Sequence, residues 1–183
     1  NPNGVADQSP ENDTLKSKFR IIKTVNAPLA EGFESNVFPP NNFIVQNPDA
    51  GITWERTIAA AQSGIGAMVI KNYKYVVEHT TDTLLTPSVS ITKADSAFIS
   101  FDYAYAPGMN DPKSDVLPLD TLEIAVSKDC GLTSTVVWKK WGEGLQTIND
   151  PNFPNNIEFI PNKQQWKNVR ISLPGIVGSN DQI

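Results

Sequence analysis

The sequence predicts an all-β fold, a sandwich of two antiparallel sheets with little helix. Pro and Gly recur along the whole chain, and short β-rich segments lie between them. Several of these segments alternate apolar and polar residues, whereas helix-type periodicity is weak. Many short alternating segments joined by turn residues are typical of a sandwich and not of alternating strands and helices.

Seven segments have the composition of strands. In residues 97–105, Ile99, Phe101, Tyr103 and Tyr105 fall on one face and Phe98, Ser100, Asp102 and Ala104 on the other, as in a half-buried strand. The two helix candidates are short: two turns at residues 55–62 and one turn at 162–166. The predicted strands are 19–25, 67–77, 84–91, 97–105, 122–127, 134–141 and 168–173.

Composition bounds the class of protein. A chain of 183 residues with 39% hydrophobic content can bury the core of one good-sized domain. The net charge of −5 argues against a nucleic-acid partner, which requires a basic surface. No apolar run approaches the roughly 20 residues that span a bilayer, so no membrane insertion is expected.

The residues that could carry catalysis are few. Cys130 is the only cysteine, so an intrachain disulfide is excluded and a cysteine-based zinc site is disfavoured. His79 is the only histidine, and its alternating neighbours predict an ordinary strand or loop residue. Acidic pairs such as Asp120 and Glu123 have the residue types of a glycosidase, but nothing in the sequence places them across a cleft. We therefore predict that this chain is not an enzyme.

An ordered set of motifs resembles a known group of domains. GFES with FPP and NFIVQNPDAGITWERT is followed by GAMVIKNY, DTLLTPSVSI, AFISFDYAYAPG, DTLEIAVSKDCG and WKNVRISLPG. This order resembles the cleaved-adhesin or choice-of-anchor J domains of large secreted bacterial proteins and, more distantly, the MAM adhesion domain. The resemblance implies a jelly-roll (galactose-binding or MAM-like) sandwich, a secreted or cell-surface location and, commonly, type IX secretion. Some parent proteins of that group also carry a metallopeptidase domain.

The resemblance also divides the chain. Residues 1–28 resemble the closing hairpin of a PKD-like domain, so they are expected to be a linker or the terminal hairpin of a preceding domain. Residues 29–183 are the expected jelly-roll domain. Such domains usually continue for one or two more strands, which this segment is expected to lack.

A structural calcium ion is the expected cofactor. In the resembling jelly rolls the Glu of the FE pair is a calcium ligand, which corresponds to Glu34. The following segment supplies Asn47 and Asp49 as further oxygen donors, and Asp82 is a weaker candidate. Calcium takes six to eight hard oxygen ligands from carboxylates, amides and carbonyls. The alternative is that the acids are solvated and that residues 47–49 form an ordinary turn.

Exposed aromatic residues are the remaining sign of function. Trp138 and Trp141 lie on opposite faces of a predicted strand, so one is expected in the core and Trp141 is a candidate ligand contact; Tyr73 and Tyr75 are weaker candidates. The sequence therefore predicts a non-catalytic extracellular adhesion or binding module for a glycan or a host or cell-surface protein, working beside neighbouring domains of one polypeptide. The alternative is a structural accessory or spacer domain of a secreted peptidase.

Overall fold

The fold is all-β, as predicted. The computed structural model describes residues 4, 21–74, 80–91, 94–106, 120–150, 153 and 157–173. Strands account for most of the regular structure in these ranges, and none of their helices is long and apolar enough to cross a membrane. The strands are β1 (Thr24–Asn26), β2 (Ile44–Gln46), β3 (Glu55–Thr57), β4 (Ala67–Val69), β5 (Thr83–Leu85), β6 (Ser88–Ser90), β7 (Phe98–Tyr103), β8 (Thr121–Val126), β9 (Thr135–Trp141) and β10 (Lys167–Ser172). The helical elements are α1 (Gly142–Leu145) and two 3-10 turns, Asn72–Lys74 and Lys163–Gln165.

The described strands are hydrogen-bonded in pairs. The pairs β2–β5, β3–β4, β7–β10 and β8–β9 are antiparallel, and β1–β6 is parallel. The longest regular ladder joins β7 to β10, where Ser100 lies opposite Arg170. The β8–β9 ladder contains a register shift between Ile124 and Ala125. These two pairs contain the longest strands of the described structure and carry Trp138 and Trp141.

Strands β7 and β8 alternate exposed and half-buried residues, as the sequence pattern predicted, whereas β9 does not. In β7, Ile99, Phe101 and Tyr103 are half-buried while the residues between them are exposed. β8 has the same exposed and half-buried alternation. This pattern follows from the two-residue period of a strand, which sends successive side chains to opposite faces.

The core connects the two long pairs. Ile91 and Leu173 are buried at its centre, and half-buried residues of β6 to β10 pack around them: Val89, Ile99, Val126, Val137 and Ile171. Trp138 of β9 adds an edge-to-face contact with Phe101 of β7 at 5.4 Å between ring centroids. The two pairs therefore meet through side chains, since no described backbone ladder joins them.

Some local predictions were wrong. The predicted strand 67–77 ends at Val69 and is followed by the 3-10 turn at Asn72–Lys74. The helix predicted at 55–62 is instead strand β3, after which Thr57 accepts a hydrogen bond from the Ala59 amide in a local turn. The predicted strand 84–91 is divided between β5 and β6 by Pro87, which has no amide to donate. The single turn at 162–166 is confirmed by Lys163–Gln165.

Candidate functional site

The loop that carries Glu34 is fastened to β3 through its backbone. Phe33 has a left-handed φ of 59°, and its carbonyl oxygen accepts a hydrogen bond from Arg56 Nε at 2.6 Å. Arg56 Nη2 donates to the Glu34 carbonyl at 3.1 Å. One guanidinium group therefore holds two successive carbonyls, using the planar set of donors that only arginine offers.

The Glu34 carboxylate is oriented by a second loop. Its Oε2 accepts a hydrogen bond from the Ile65 amide at 2.9 Å, and its oxygens lie directly against Gly64. A Cβ on Gly64 would be only 2.0 Å from Glu34 Oε1, so a side chain there would displace the carboxylate. Glu34 itself remains exposed. The predicted metal ligand is thus a fixed surface carboxylate with one backbone donor.

Asn47 and Asp49 share a turn around Gly51. Asn47 Nδ2 donates to the Gly51 carbonyl at 2.8 Å, and Asp49 Oδ1 accepts from the Gly51 amide at 3.0 Å. Asn47 Oδ1 is buried and has no hydrogen-bond partner among the described residues. An open pocket of ≈ 390 Å³ adjoins it, lined by Val45, Gln46, Asn47, Pro48, Thr81 and Thr83. Asn47 therefore lines an open pocket and also carries a desolvated amide oxygen, which is a hard donor of the type that calcium binds.

The predicted acidic ligands do not form one cluster. Asp82 lies at the start of β5, where its carbonyl oxygen accepts from Trp54 Nε1 at 3.2 Å. Across the described ranges, no three His, Cys, Asp or Glu side chains gather in a way that would hold a metal ion, and this includes Glu34, Asp49 and Asp82. With at most two such side chains together in the described ranges, a calcium ion near Asn47 would consequently also need neutral amide, hydroxyl or carbonyl oxygens as ligands.

The candidate aromatic contacts differ in exposure. Trp141 ends β9 with 56% of its surface exposed, whereas Trp138 packs against the β7 aromatics. Tyr73 lies in the 3-10 turn, where Lys74 Nζ is 5.3 Å from its ring centroid. Tyr75 lies outside the described residues, as does His79. The two tryptophans differ in exposure as expected, but Trp138 is half-buried and lies outside the core cluster around Ile91 and Leu173.

A wide cleft lies beyond α1, and the sequence did not reveal it. It has a volume of ≈ 610 Å³ and contains the edge-to-face pair Phe153 and Phe159, with 5.4 Å between ring centroids. Glu158 contributes a carboxylate to its wall, 3.8 Å from Lys71 Nζ. The helix α1 connects Trp141 to the first lining residue, Thr147. The mixed lining of aromatic and polar groups is chemically suited to a polar organic ligand.

Asp120 and Glu123, the acidic pair considered for glycosidase chemistry, each contact a different side chain. Asp120 Oδ2 accepts from the Tyr105 hydroxyl at 3.1 Å, and Glu123 Oε2 lies 3.1 Å from Lys139 Nζ. Burial, followed by the nearby charge of Asp120, raises the pKa of Tyr105 well above its ordinary value. Each carboxylate therefore has a partner of its own in the described part of the chain.

The turn between β8 and β9 is built around Asp129. Its carboxylate accepts from the Thr133 hydroxyl at 2.6 Å, from the Thr133 amide at 2.8 Å and from the Ser127 hydroxyl at 2.8 Å. These hydrogen bonds, with Thr133 the largest cause, lower the pKa of Asp129 to about 2. Cys130, exposed at the tip with a φ of 58°, occupies a left-handed turn position.

No protein-family model, curated protein or solved structure matches this chain. The resemblance to cleaved-adhesin and MAM-like domains therefore stays a prediction, and function has to be argued from the geometry.

Proposed function

We propose that this chain is a non-catalytic, calcium-stabilised binding module of a secreted or cell-surface protein, with a glycan or protein ligand. The observation that carries the proposal is the contrast between the two tryptophans of β9. Trp138 supplies the packing that the fold needs, and Trp141 leaves 56% of its surface in solvent. A large exposed ring at a fixed strand end is the kind of platform on which the apolar face of a sugar stacks.

The surroundings of Trp141 support a binding role. Its backbone lies opposite Thr121 at the last position of the β8–β9 ladder, so the ring is borne by a rigid element. The short helix that follows leads to the cleft containing Phe153 and Phe159. Aromatic surfaces combined with nearby polar groups are typical of small-ligand and saccharide sites.

The architecture we propose is a jelly-roll sandwich. Support comes from the way β7–β10 and β8–β9 meet through inward-facing side chains, with Phe101, Tyr103 and Trp138 in mutual contact. Two sheets packed face to face lie about 10 Å apart and share their core in this manner.

Calcium is the proposed structural cofactor. Asn47 Oδ1 fits such an ion because it is a buried oxygen without a partner beside an open pocket. Asp49 shares the same turn through Gly51, and Asp82 is near Thr81 and Thr83 in sequence. Glu34 remains a proposed ligand: the Ile65 amide orients its carboxylate, and the lone pairs that this bond leaves can bind the ion.

Binding is tested on arrays of glycans and of extracellular-matrix proteins in the presence of calcium. We expect a discrete set of ligands whose signal falls sharply in Trp141→Ala. Leu132→Ala is the matched control, because Leu132 is 87% exposed at the far hairpin turn and its loss should leave binding unchanged. A chain that binds nothing on either array would instead be a spacer domain. Equal binding by both variants would remove Trp141 from the site.

A further inference from the structure

The outward side of the β7–β10 pair carries an ordered set of polar side chains around one aromatic ring. On this outer face of β7–β10, the residues Phe98, Ser100 and Asp102 project from one strand and Asn168 and Arg170 from the other; all five are exposed. Ser100 lies opposite Arg170, and Asp102 lies opposite Asn168. The regular ladder fixes their spacing, so the face is a rigid surface and not a loop.

The guanidinium group of Arg170 lies over the Phe98 ring. Its Cζ lies 3.6 Å from the centroid of the Phe98 ring, which is close stacking contact. Among the described residues, no carboxylate lies within ion-pair distance of Arg170. The stacked ring shields one face of the guanidinium and leaves its N–H edges for a planar anion, which it can bind in a bidentate manner.

The rest of the outer face supplies both donors and acceptors. Asn168 Nδ2 donates to Asp102 Oδ1 at 2.9 Å and lies 3.5 Å from Ser100 Oγ. This network fixes the amide and the carboxylate, and the Asp102 carboxylate retains acceptor capacity for hydroxyl groups of a ligand. Vicinal hydroxyls of a sugar both donate and accept: Asp102 and Asn168 Oδ1 can accept from them, and the Ser100 hydroxyl can donate to them.

We propose that the outer face of β7–β10 binds a saccharide that carries a carboxylate, such as a uronic acid. The carboxylate pairs with Arg170, and ring hydroxyls bond to Asp102 and Asn168. A ligand with many negative charges, such as a sulfated glycan, is disfavoured because Asp102 is itself anionic. A neutral sugar would leave the Arg170 donors without their charge partner. This inference rests on the proposed binding function and adds to it a second site, separate from Trp141, with a ligand class of its own.

The test uses unsulfated oligosaccharides built on glucuronate, galacturonate or mannuronate, each compared with its carboxyl-reduced counterpart. Calorimetric titration should detect binding of at least one uronate, and the reduced form should bind about tenfold more weakly or worse. Arg170→Ala should weaken uronate binding by a similar factor. Lys140→Ala is the matched control, because it removes one exposed positive charge from a different strand and should change affinity less than about twofold.

Asn168→Ala provides a second variant, which should weaken binding while the thermal transition stays close to that of the parent protein. Equal affinities for a uronate and its reduced form, tighter binding of a sulfated dextran, or unchanged binding by Arg170→Ala would each overturn the proposal. So would the absence of uronate binding. In any of those cases, continued binding of other ligands on the arrays would still support the proposed binding function. Only the assignment of a ligand to the outer face of β7–β10 would fail.

Discussion

Gly66 and the carbonyl of Phe33 are in such close contact that no side chain fits between them. A Cβ at Gly66 would lie 2.1 Å from the Phe33 carbonyl oxygen, which is also the acceptor for Arg56 Nε. Because the obstacle is backbone, it cannot rotate away as a side chain can. We expect Gly66→Ala to destabilise the fold by about 1–3 kcal/mol, measured by urea denaturation.

Gly144→Ala is the control for that substitution. A Cβ at Gly144 meets only Lys140 Cδ, at 3.9 Å, and the residue lies in α1. Alanine should therefore leave the free energy of unfolding unchanged or raise it by up to about 1 kcal/mol. If Gly66→Ala were as stable as Gly144→Ala and the parent protein, the close contact between Gly66 and the Phe33 carbonyl would be without energetic importance.

Arg56→Lys tests the bridge to the Glu34 loop. Lysine keeps the charge but cannot donate to the Phe33 and Glu34 carbonyls in the same planar arrangement. Loss of charged hydrogen bonds should reduce the free energy of unfolding by about 1.5–3 kcal/mol. Amide exchange at residues 31–35 should also become faster. If Arg56→Lys were as stable as the parent protein, the two hydrogen bonds from the guanidinium group would contribute nothing beyond the positive charge that lysine also carries.

The two tryptophans of β9 should differ sharply when truncated. Trp138→Ala removes the ring that contacts both Phe101 and Tyr103, and we expect a loss of about 3 kcal/mol. For a chain of this size that lowers the midpoint of thermal unfolding by about 6–12 °C. Trp141→Ala should change the free energy of unfolding by no more than about 0.5 kcal/mol. Comparable losses in both variants would show that Trp141 is a packing residue.

The Asp129 turn gives the β8–β9 hairpin a specific dependence on pH. The folded-state pKa of about 2 is below the ordinary 3.8, so the charged carboxylate stabilises the turn. That contribution is fully present above about pH 4 and is lost as the pH falls through 2. Carboxyl chemical shifts of Asp129 should follow this titration. Thr133→Val removes the strongest hydroxyl donor and should move the Asp129 pKa upward; an unchanged midpoint would refute the assigned cause.

The long strands were predictable because their signal is local. The alternation of Ile99, Phe101 and Tyr103 defines a buried face whatever the strand pairs with, and β7 has that face. The turn at Asn72–Lys74 was not predictable in this way. Its residues Tyr73 and Lys74 have strand-like neighbours, but the Lys74 amide bonds back to the Lys71 carbonyl. Short segments with weak periodicity are decided by such contacts and not by composition.

The candidate sites show the same difference between features that local sequence predicts and features that depend on contacts between distant segments. Asn47 and Asp49 lie within one turn, and their residue types alone suggested oxygen ligands. The contact between Glu34 and Ile65 joins two separate loops and has no sequence signature. The stack of Arg170 on Phe98 depends on the register of β7 against β10, which alternation alone does not define.

Calcium should raise the stability of the folded chain, and Asn47 should be necessary for that effect. The buried Asn47 Oδ1 has no hydrogen-bond partner among the described residues, so an ion in the adjoining pocket would offset the cost of its desolvation. At a calcium concentration about 100 times its dissociation constant, the gain is roughly 2.7 kcal/mol. Thermal unfolding with calcium and with a chelator measures this difference.

Asn47→Ala should abolish the difference between the calcium and chelator transitions, because it removes the amide oxygen that is the proposed ligand. Asn41→Ala, in the exposed turn before β2, removes the same group elsewhere and should leave the difference intact. Glu34→Gln should reduce the difference only if Glu34 shares the ion with Asn47. A transition that is identical with calcium and with chelator in the parent protein would show that the turn around Gly51 is stable without an ion.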